Sequence, residues 1–409
     1  MAQLFATGIY TTIWTLPKIA ISDLRPGMYL VDTQADWQKE PFLYSKEGVI
    51  RSMEEIAAIL EQGYTEAYYD PSQSHAEASE EITFPEENSY AVPPPSVALA
   101  EELPVAEQAY SDCVAHVRSF LQKAQSDKKV HLGSAEPLVQ TIIKSLNRNV
   151  DALTSLAKVK RYDTYTFEHC VNVSIYATAF GRFLGLDEQK LLLLGLAGIF
   201  HDTGKMLVPQ DILNAPRRLT PDEFDIMKTH VQLGLDCLEH STPMPAAVFA
   251  GVAQHHEKFN GAGYPNGVSG IEISPYGRVM SVADIFDALT AKRVYKEPLP
   301  CTKALSIMYG MRGETWQEGT VERFIKMLGV YPVGTPVLIS SGYRAVISQS
   351  NPSSPLYPTI LVVSDPQGKT ITPPKEIDLA EHKNITIKQA LTTNEAADID
   401  IPAVLGCAT

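Results

Sequence analysis

Residues 188–205 read EQKLLLLGLAGIFHDTGK, an apolar run that ends in a histidine and an aspartate. The run 188–200 is apolar nearly all round at helical spacing, which predicts a buried central helix. His201 and Asp202 follow directly, so the helix would deliver an imidazole and a carboxylate to the core. A buried carboxylate is costly without a partner, and a divalent metal ion is the best partner available. The stretch therefore predicts a helical domain around a metal site.

More candidate metal ligands lie on predicted helices around this stretch. Six of the ten histidines fall between residues 169 and 256. His169 lies within YTFEHCVNVSIYATAF, and His230 is expected in the middle of a helix. His255 and His256 end another helix, and Asp284 lies inside the last one. Mixed imidazole and carboxylate ligands suit Fe, Mn, Zn or Ni, whereas Ca or Mg would call for nearly all oxygen. These ligands exceed the needs of one ion, and Asp202 could bridge two, so we predict a two-metal site.

Composition and charge narrow the class of protein. The chain has 409 residues, 44% hydrophobic and 20% charged, which is ordinary for a globular protein of two or three domains. A net charge of −14 argues against broad nucleic-acid binding. The five cysteines include no CxxC pair, so neither a zinc ribbon nor a disulfide framework is indicated. The uncharged segment 1–17, interpreted as a strand or ordered arm, lacks a basic start, and we expect a cytoplasmic protein with no membrane span.

Changes in composition divide the chain into four parts. Residues 1–70 combine strand-like runs with the helix SMEEIAAILEQG and predict a small α+β regulatory domain. Residues 71–105 are rich in proline, glutamate and serine and predict a linker. Helical periodicity dominates 106–329, and TPVLIS, YRAVIS and TILVVS predict strands within 330–409. The predicted fold class is multi-domain: a mainly α helical bundle, a small α+β N-terminal domain and a short β-rich C-terminal extension.

Capping signals mark the start of two helices in the bundle. Residues 220–223, TPDE, form a capping box with proline at the first helical position, and predict a helix that runs through His230. Ser274 and Pro275 mark the start of the helix that carries Asp284.

Together these motifs give residues 160–300 a specific resemblance to the HD-GYP domain, a bacterial subgroup of the HD metal-dependent phosphohydrolases. The matching segments are His169, HDTGK at 201–205, ILNAPRRLTPDEF, His230, HHE at 255–257, GAGYP at 261–265 and VADIFDALTAKRVYK at 282–296. KIAISDLRPGMYLV resembles a small domain of undefined function often found ahead of HD-GYP domains, and YPVGTPVLISSG resembles the extension that often follows them.

The resemblance implies hydrolysis of cyclic di-GMP to linear pGpG, and in some members on to GMP. Two divalent ions, with Fe or Mn first and Ni or Zn as alternatives, would activate water for in-line attack on phosphorus. The resemblance also allows two kinds of protein partner: diguanylate cyclase domains, bound through the GYP loop, and a second copy of the chain in a homodimer. By motif position, the ligands are His169, His201, Asp202, His230, His255, His256 and Asp284.

The resemblance further implies residues that act on the substrate. Lys205, one turn from His201, would reach the scissile phosphate and is with Asp202 the catalytic candidate, with a surface lysine beyond a helix end as the alternative. Asp287 would hydrogen-bond a ligand histidine or the substrate, with a plain surface carboxylate as the alternative. For Arg293 and Lys296, which follow the helix that carries Asp284, the alternative is a solvated basic turn. The predicted substrate-binding residues are Lys205, Asp287, Arg293, Lys296, Gly263, Tyr264 and Pro265.

The adjacent histidines set a condition on the local structure. Neighbouring helical residues point about 100° apart, so His255 and His256 can both be ligands only where the helix ends and the chain turns. Gly261 and Gly263 would permit that turn, and Tyr264 with the following proline would form a stiff lip for substrate or partner.

Two positions depart from the family pattern. Tyr165 stands where many members have a glutamate that helps hold a third metal, and Glu168 would point elsewhere, so we predict a binuclear site because a phenol is a poor ligand at neutral pH. Asn260 replaces an aspartate but keeps its turn-forming ability. Besides an active phosphodiesterase, the alternatives are a binding or scaffold module of low turnover, and other di-metal chemistry on another nucleotide or in an oxygen-dependent oxidation.

Overall fold

In a computed structural model, the protein consists of two compact units, residues 1–83 and 84–409. The first holds a small α+β fold, and the second holds a helical domain and a β-sheet, as the sequence predicts. The predicted N-terminal arm, up to residue 16, and residues 71–94 of the predicted linker lie outside the described residues. The described residues are 17–25, 27–31, 43–44, 48–50, 53–70, 95–127, 130, 132–159, 165–239, 244–291, 298–351, 354–392 and 394–406.

The N-terminal unit is a small sheet with one helix. Its elements are β1 (Lys18–Ala20), β2 (Tyr29–Leu30), β3 (Leu43–Tyr44), β4 (Gly48–Val49), α1 (Met53–Glu61) and β5 (Glu66–Asp70). β5 pairs antiparallel with β1 and β2 and parallel with β3, while β4 pairs with β2. Ile56 and Ile59 of α1 are three residues apart, on one helix face, and join a buried cluster with Ile21, Leu24 and Ala67. This cluster is the core of the unit.

The helical domain surrounds the predicted central helix. Its helices are α2 (Leu99–Asp127), α3 (Leu132–Arg148), α4 (Val150–Val159), α5 (Tyr165–Phe183), α6 (Glu188–Phe200), α7 (Gln210–Leu213), α8 (Pro221–Lys228), α9 (His230–Glu239), α10 (Ala246–Gln254), α11 (Pro275–Thr290), α12 (Cys301–Gly310) and α13 (Thr320–Leu328). α6 has the predicted bounds and packs against α3, α5 and α10. Among the described residues, no helix combines the length and apolar character that a membrane crossing requires.

The helical domain begins earlier than the prediction of about residue 106, because α2 starts at Leu99 and continues through Pro104. Glu102 in its first turn is 1% exposed. The carboxylate accepts hydrogen bonds from Arg148 Nε at 2.6 Å and from Ser145 Oγ at 2.7 Å. These tertiary contacts keep the first turn of α2 helical up to Pro104, although the composition of residues 71–105 predicts a linker.

The predicted capping box at the start of α8 is confirmed. Thr220 Oγ1 accepts from the Glu223 amide, and the Glu223 carboxylate accepts from the Thr220 amide. However, the predicted continuation through His230 is wrong. The Thr229 amide and hydroxyl both donate to Ile226 O, at 3.1 and 2.6 Å, which closes a tight turn. His230 is therefore the first residue of α9 instead of a mid-helix residue.

The C-terminal region forms an antiparallel sheet in the order β10-β6-β7-β8-β9. Its elements are β6 (Pro336–Ile339), β7 (Arg344–Gln349), β8 (Thr359–Ser364), β9 (Thr370–Asp378), β10 (Ile387–Ala390) and α14 (Ile401–Leu405). The three predicted strands match β6, β7 and β8. The sheet joins α4 through Ser350 Oγ, which donates to Asp151, and through Lys158 Nζ, which donates to Thr335 Oγ1.

Candidate metal centre

Five helices bring all seven predicted ligand residues to one buried place. α5 supplies His169, α11 supplies Asp284, and the C-terminal end of α6 supplies His201 and Asp202. The remaining ligands are His230 at the start of α9 and the pair that follows α10, His255 and His256. Six of the seven residues are at most 5% exposed, and the side chain of His256 is 21% exposed.

Asp202 lies between two groups of imidazoles. Its Oδ2 is 3.3 Å from His201 Nε2 and 3.4 Å from His169 Nε2. Its Oδ1 is 3.4 Å from His230 Nε2 and 3.9 Å from His255 Nε2. The potential ligand atoms lie within 4.8 Å of one another in each of two groups, which share Asp202: His169, His201 and Asp202; and Asp202, His230, His255 and His256. A carboxylate in this position can bridge two ions.

Asp284 also faces both groups. Its Oδ1 is 3.1 Å from His169 Nε2 and 3.9 Å from His201 Nε2, whereas its Oδ2 is 3.6 Å from His256 Nδ1. Two carboxylates therefore supply negative charge among the five imidazoles, which is the mixed donor set expected for a transition metal.

Hydrogen bonds to the backbone orient three of the imidazoles. In each case Nδ1 donates to the carbonyl oxygen three residues earlier, at 2.6–2.8 Å, in the pairs His201–Gly198, His230–Met227 and His255–Val252. Because a carbonyl can only accept, Nδ1 carries the proton and Nε2 keeps its lone pair. The lone pairs of these rings therefore point into the site.

This arrangement fits divalent metal ions. The Nε2 atoms of His201 and His169 are 3.3 Å apart, and those of His230 and His255 are 3.5 Å apart. Facing lone pairs repel one another unless a cation lies near both. Asp202 Oδ1 is buried and accepts no hydrogen bond from any described residue, although a buried carboxylate oxygen requires a partner. Bound cations would remove the repulsion between the facing Nε2 lone pairs and would give Asp202 Oδ1 a partner.

The electrostatics favour ligand protonation states at neutral pH. Burial lowers the pKa of His230 to about 4 and that of His256 to about 3. Burial by itself would raise the pKa of Asp202, but His201 and Lys205 hold that pKa well below its ordinary value. At pH 7 His230 and His256 are therefore neutral and Asp202 is charged, which are the forms that bind metal.

Lys205 lies at the edge of the centre, on a short 3₁₀ helix, Thr203–Leu207, that follows α6. Its Nζ is 2.5 Å from Asp202 Oδ2, and its side chain is 21% exposed. The ammonium group is thus close to the buried ligands and still accessible from outside.

Asp287 lies behind His169 and has both carboxylate oxygens engaged. Oδ2 accepts from His169 Nδ1 at 2.7 Å, and Oδ1 accepts from Asn172 Nδ2 at 2.9 Å. The residue is 2% exposed. Of the three roles considered for Asp287, its burial argues against a plain surface carboxylate, and this geometry favours orienting a ligand histidine over contact with a substrate.

The GYP loop turns the chain directly after the adjacent histidines. α10 ends at Gln254, and Gly261 has φ +76°, which favours glycine. A Cβ on Gly263 would come within 2.5–2.6 Å of backbone atoms of residues 256–258. The Tyr264 amide donates to His256 O at 3.2 Å, and the two rings lie with centroids 4.6 Å apart. The helix end and the turn that two adjacent ligands require are both present.

Glu257 is a site residue to which sequence reasoning assigned no role. It is 1% exposed, and its Oε1 accepts from the amides of Asn266 and Gly267 at 2.8 and 3.1 Å. The carboxylate therefore anchors the far side of the GYP loop. Its position within HHE was the only available signal. Asn260 keeps the expected turn-forming role, since its Oδ1 accepts from the Ala262 amide at 3.0 Å.

Three residues named from sequence cannot be placed. Arg293, Lys296 and the side chain of Tyr165 lie outside the described part of the chain. The substrate contacts predicted for the basic pair and the absence of a third metal remain predictions.

Known domain families match most of the chain. An HD domain matches residues 137–321, a domain of unknown function matches 16–135, and a KOW domain associated with HD domains matches 336–399. The HD match includes every candidate metal ligand, and the KOW match includes all five strands of the C-terminal sheet.

Several relatives are named as phosphodiesterases of cyclic dinucleotides. A cyclic di-GMP phosphodiesterase of Pseudomonas aeruginosa is 31% identical over 369 residues, which is 89% of each chain. A cyclic di-GMP phosphodiesterase response regulator of Xanthomonas campestris is 32% identical over 50% of this chain and 55% of its own. A 3'3'-cGAMP-specific phosphodiesterase of Vibrio cholerae is 34% identical over 39% of this chain and 31% of its own.

Among solved structures, an HDG"Y"P protein from Bdellovibrio bacteriovorus aligns with a TM-score of 0.47 at 17% identity, covering 76% of this chain and 99% of that one. The family assignment rests on the sequence relatives and on the HD match. With 31% identity maintained across 89% of its length, the chain belongs to the HD-GYP family of HD-domain phosphodiesterases.

Proposed function

We propose that the protein hydrolyses cyclic di-GMP to linear pGpG at a two-metal centre. The observation that carries this proposal is the position of Asp202, with one oxygen toward His169 and His201 and the other toward His230 and His255. Two-metal hydrolysis of a phosphodiester uses ions about 3.5–4 Å apart, and a carboxylate that bridges the ions can hold them at such a separation. The substrate is inferred from the names of relatives, including the one that matches 89% of the chain.

The donor atoms divide naturally between two ions. His169 and His201 would hold one ion, and His230, His255 and His256 would hold the other. Asp202 and Asp284 would reach both ions. When bound, the two ions would supply an activated water and neutralise charge on the phosphate. Fe or Mn suits this donor set best, with Ni or Zn as alternatives.

Lys205 has the position required to bind the scissile phosphate. Its ammonium group adjoins Asp202 and remains partly exposed, so a phosphate oxygen at the edge of the site could accept a hydrogen bond from it. A fixed positive charge there would stabilise the additional negative charge that develops in the transition state. The proposed roles are electrostatic stabilisation for Lys205 and metal bridging for Asp202.

Tyr264 would form the wall of the substrate site next to His256. Its ring lies against the imidazole and is also 6.2 Å, between centroids, from the ring of Phe224 on α8. These aromatic surfaces could restrict water and contact a purine base. The lip of Gly263, Tyr264 and Pro265 is accordingly proposed as a substrate contact.

The test is chromatography of cyclic di-GMP incubated with protein purified anaerobically and loaded separately with Fe(II), Mn(II) or Ni(II). Asp202→Ala is compared with Asp236→Ala, which removes an exposed carboxylate on α9 that accepts from Gln232. We expect pGpG from the wild type and from Asp236→Ala, and no product from Asp202→Ala. Further conversion to GMP would appear in the same chromatogram.

Two results would contradict the proposal. Full metal loading and turnover in Asp202→Ala would refute the bridging role. No product with any of the metals, in protein that binds two ions, would favour a binding module. Because three relatives are named for 3'3'-cGAMP, that dinucleotide is assayed in parallel. Faster hydrolysis of 3'3'-cGAMP would change the assigned substrate but not the site.

A further inference from the structure

We propose that Tyr110 and Asn172 are positioning residues for the metal centre, acting on His169 through Asp287. Neither residue lies in a motif, and neither is a candidate metal ligand. The inference rests on the metal-binding part of the proposed function and is independent of which dinucleotide is the substrate.

The four side chains form a continuous hydrogen-bonded chain. Tyr110 OH donates to Asn172 Oδ1 at 2.9 Å, and Asn172 Nδ2 donates to Asp287 Oδ1 at 2.9 Å. The other oxygen of Asp287 accepts from His169 Nδ1 at 2.7 Å. Nε2 of that histidine is 3.4 Å from Asp202 Oδ2. The chain therefore leads from a tyrosine on α2 to the bridging ligand.

The chemistry of the groups fixes the direction of each hydrogen bond. A carboxylate only accepts, so the amide nitrogen of Asn172 must face Asp287 and its oxygen must face Tyr110. The hydroxyl of Tyr110 must then donate. With two donors on Asp287, the proton stays on His169 Nδ1, and Nε2 keeps the lone pair that a metal requires.

Burial prevents water from replacing any member of the chain. Tyr110 is 0% exposed, Asn172 is 5% exposed, and Asp287 and His169 are each 2% exposed. Loss of the tyrosine hydroxyl would leave the Asn172 oxygen buried without a donor. The amide could then rotate and present its oxygen to Asp287, which would repel that carboxylate and release its constraint on the imidazole.

The chain also connects three helices. Tyr110 belongs to α2, Asn172 lies one turn after His169 on α5, and Asp287 belongs to α11. The packing of α2 therefore determines how firmly the His169 ring is held. We infer that metal affinity at the His169–His201 group depends on a helix that contributes no ligand.

The experiment measures Mn(II) binding without substrate, counting free Mn(II) by electron paramagnetic resonance during titration of the full chain. The variants are Asp287→Asn and Tyr110→Phe. The matched control is Tyr176→Phe, which removes a hydroxyl from another buried tyrosine, one that donates to Thr154 O at 3.5 Å. Thermal unfolding of each protein is recorded in parallel.

We expect Asp287→Asn to weaken one of the two Mn(II) sites by about 10- to 100-fold, as loss of an outer hydrogen-bond partner does. Tyr110→Phe should weaken the same site by about 10-fold, the lower end of that range. Tyr176→Phe should bind both ions as the wild type does.

The proposal is overturned if Tyr110→Phe binds Mn(II) as the wild type does. Equal weakening in Tyr176→Phe would also overturn it, because the effect would then reflect packing. A wild-type protein that fails to bind Mn(II) would refute both this inference and the metal centre. Two intact Mn(II) sites with no hydrolysis of either dinucleotide would refute only the proposed function.

Discussion

A single methyl group at Gly204 should disturb the metal centre from the side of Asp202. Gly204 lies on the 3₁₀ helix between Asp202 and Lys205, where that segment packs against α9. A Cβ on Gly204 would be 1.9 Å from His230 O and 2.5 Å from Gly234 N. Both are backbone atoms, so no side-chain rotation can relieve the clash.

The size of the effect follows from these distances. Increasing 1.9 Å to the shortest tolerable contact of 3.0 Å requires a shift of about 1.1 Å between the two segments. Overpacking of this kind costs about 1–3 kcal/mol of folding free energy. The shift would move His230 relative to Asp202, and the His230 Nε2 and Asp202 Oδ1 atoms are now 3.4 Å apart. A 1 Å misplacement of catalytic groups can lower the rate about 100-fold.

The assay compares Gly204→Ala with Gly310→Ala, in which the new Cβ would meet no atom within 4 Å at the end of α12. We expect Gly204→Ala to lower the urea midpoint and to reduce kcat/KM about 100-fold, with weaker Mn(II) binding. The control should match the wild type. Wild-type stability and turnover in Gly204→Ala would refute the conclusion that close backbone packing sets the spacing of the ligands.

Three further predictions concern other parts of the chain. Lys205→Ala should lower kcat about 100-fold while both metal ions stay bound, as measured by steady-state kinetics and metal analysis; loss of metal instead would assign it a structural role. Glu257→Ala should cost about 1–3 kcal/mol in urea unfolding, because two loop amides lose their acceptor, and Glu257→Gln should cost less because it retains that oxygen; equal costs would contradict the anchoring role. The hydrogen bond from Arg217 lowers the pKa of Glu223 to about 2 from 4.5, so its stabilising effect is present above pH 4.5 and is lost as the pH falls toward 2. The difference in thermal midpoint between wild type and Arg217→Ala should therefore shrink across that window, and a difference that does not vary with pH would contradict it.

Periodicity was sufficient to predict the helices that carry His169, the HD pair and Asp284, but not the break at which His230 begins α9. α6 has the predicted bounds because its apolar run is flanked by Asp187, which caps it, and by the HD pair. The edge strand β9 was not predicted, since it contains Pro373 and Pro374. Proline is tolerated at the edge of a sheet but argues against a strand in sequence analysis. The start of α2 was missed for a similar reason, because Pro104 argues against a helix that a partly buried ion pair between Glu102 and Arg148 maintains.

The sequence by itself predicted the types of candidate ligand and, apart from His230, their places on helices, because the HD pair and the adjacent histidines are local motifs at the ends of apolar helices. Only the tertiary structure showed that the two oxygens of Asp202 face different imidazole groups, since that depends on how five helices meet. It also decided the partners of Asp287, because Asn172 and His169 lie 115 and 118 residues before it, and no local pattern links residues so far apart. Short segments of sequence are enough to identify candidate ligand residues, whereas the distances between their ligand atoms depend on how the whole helical bundle packs.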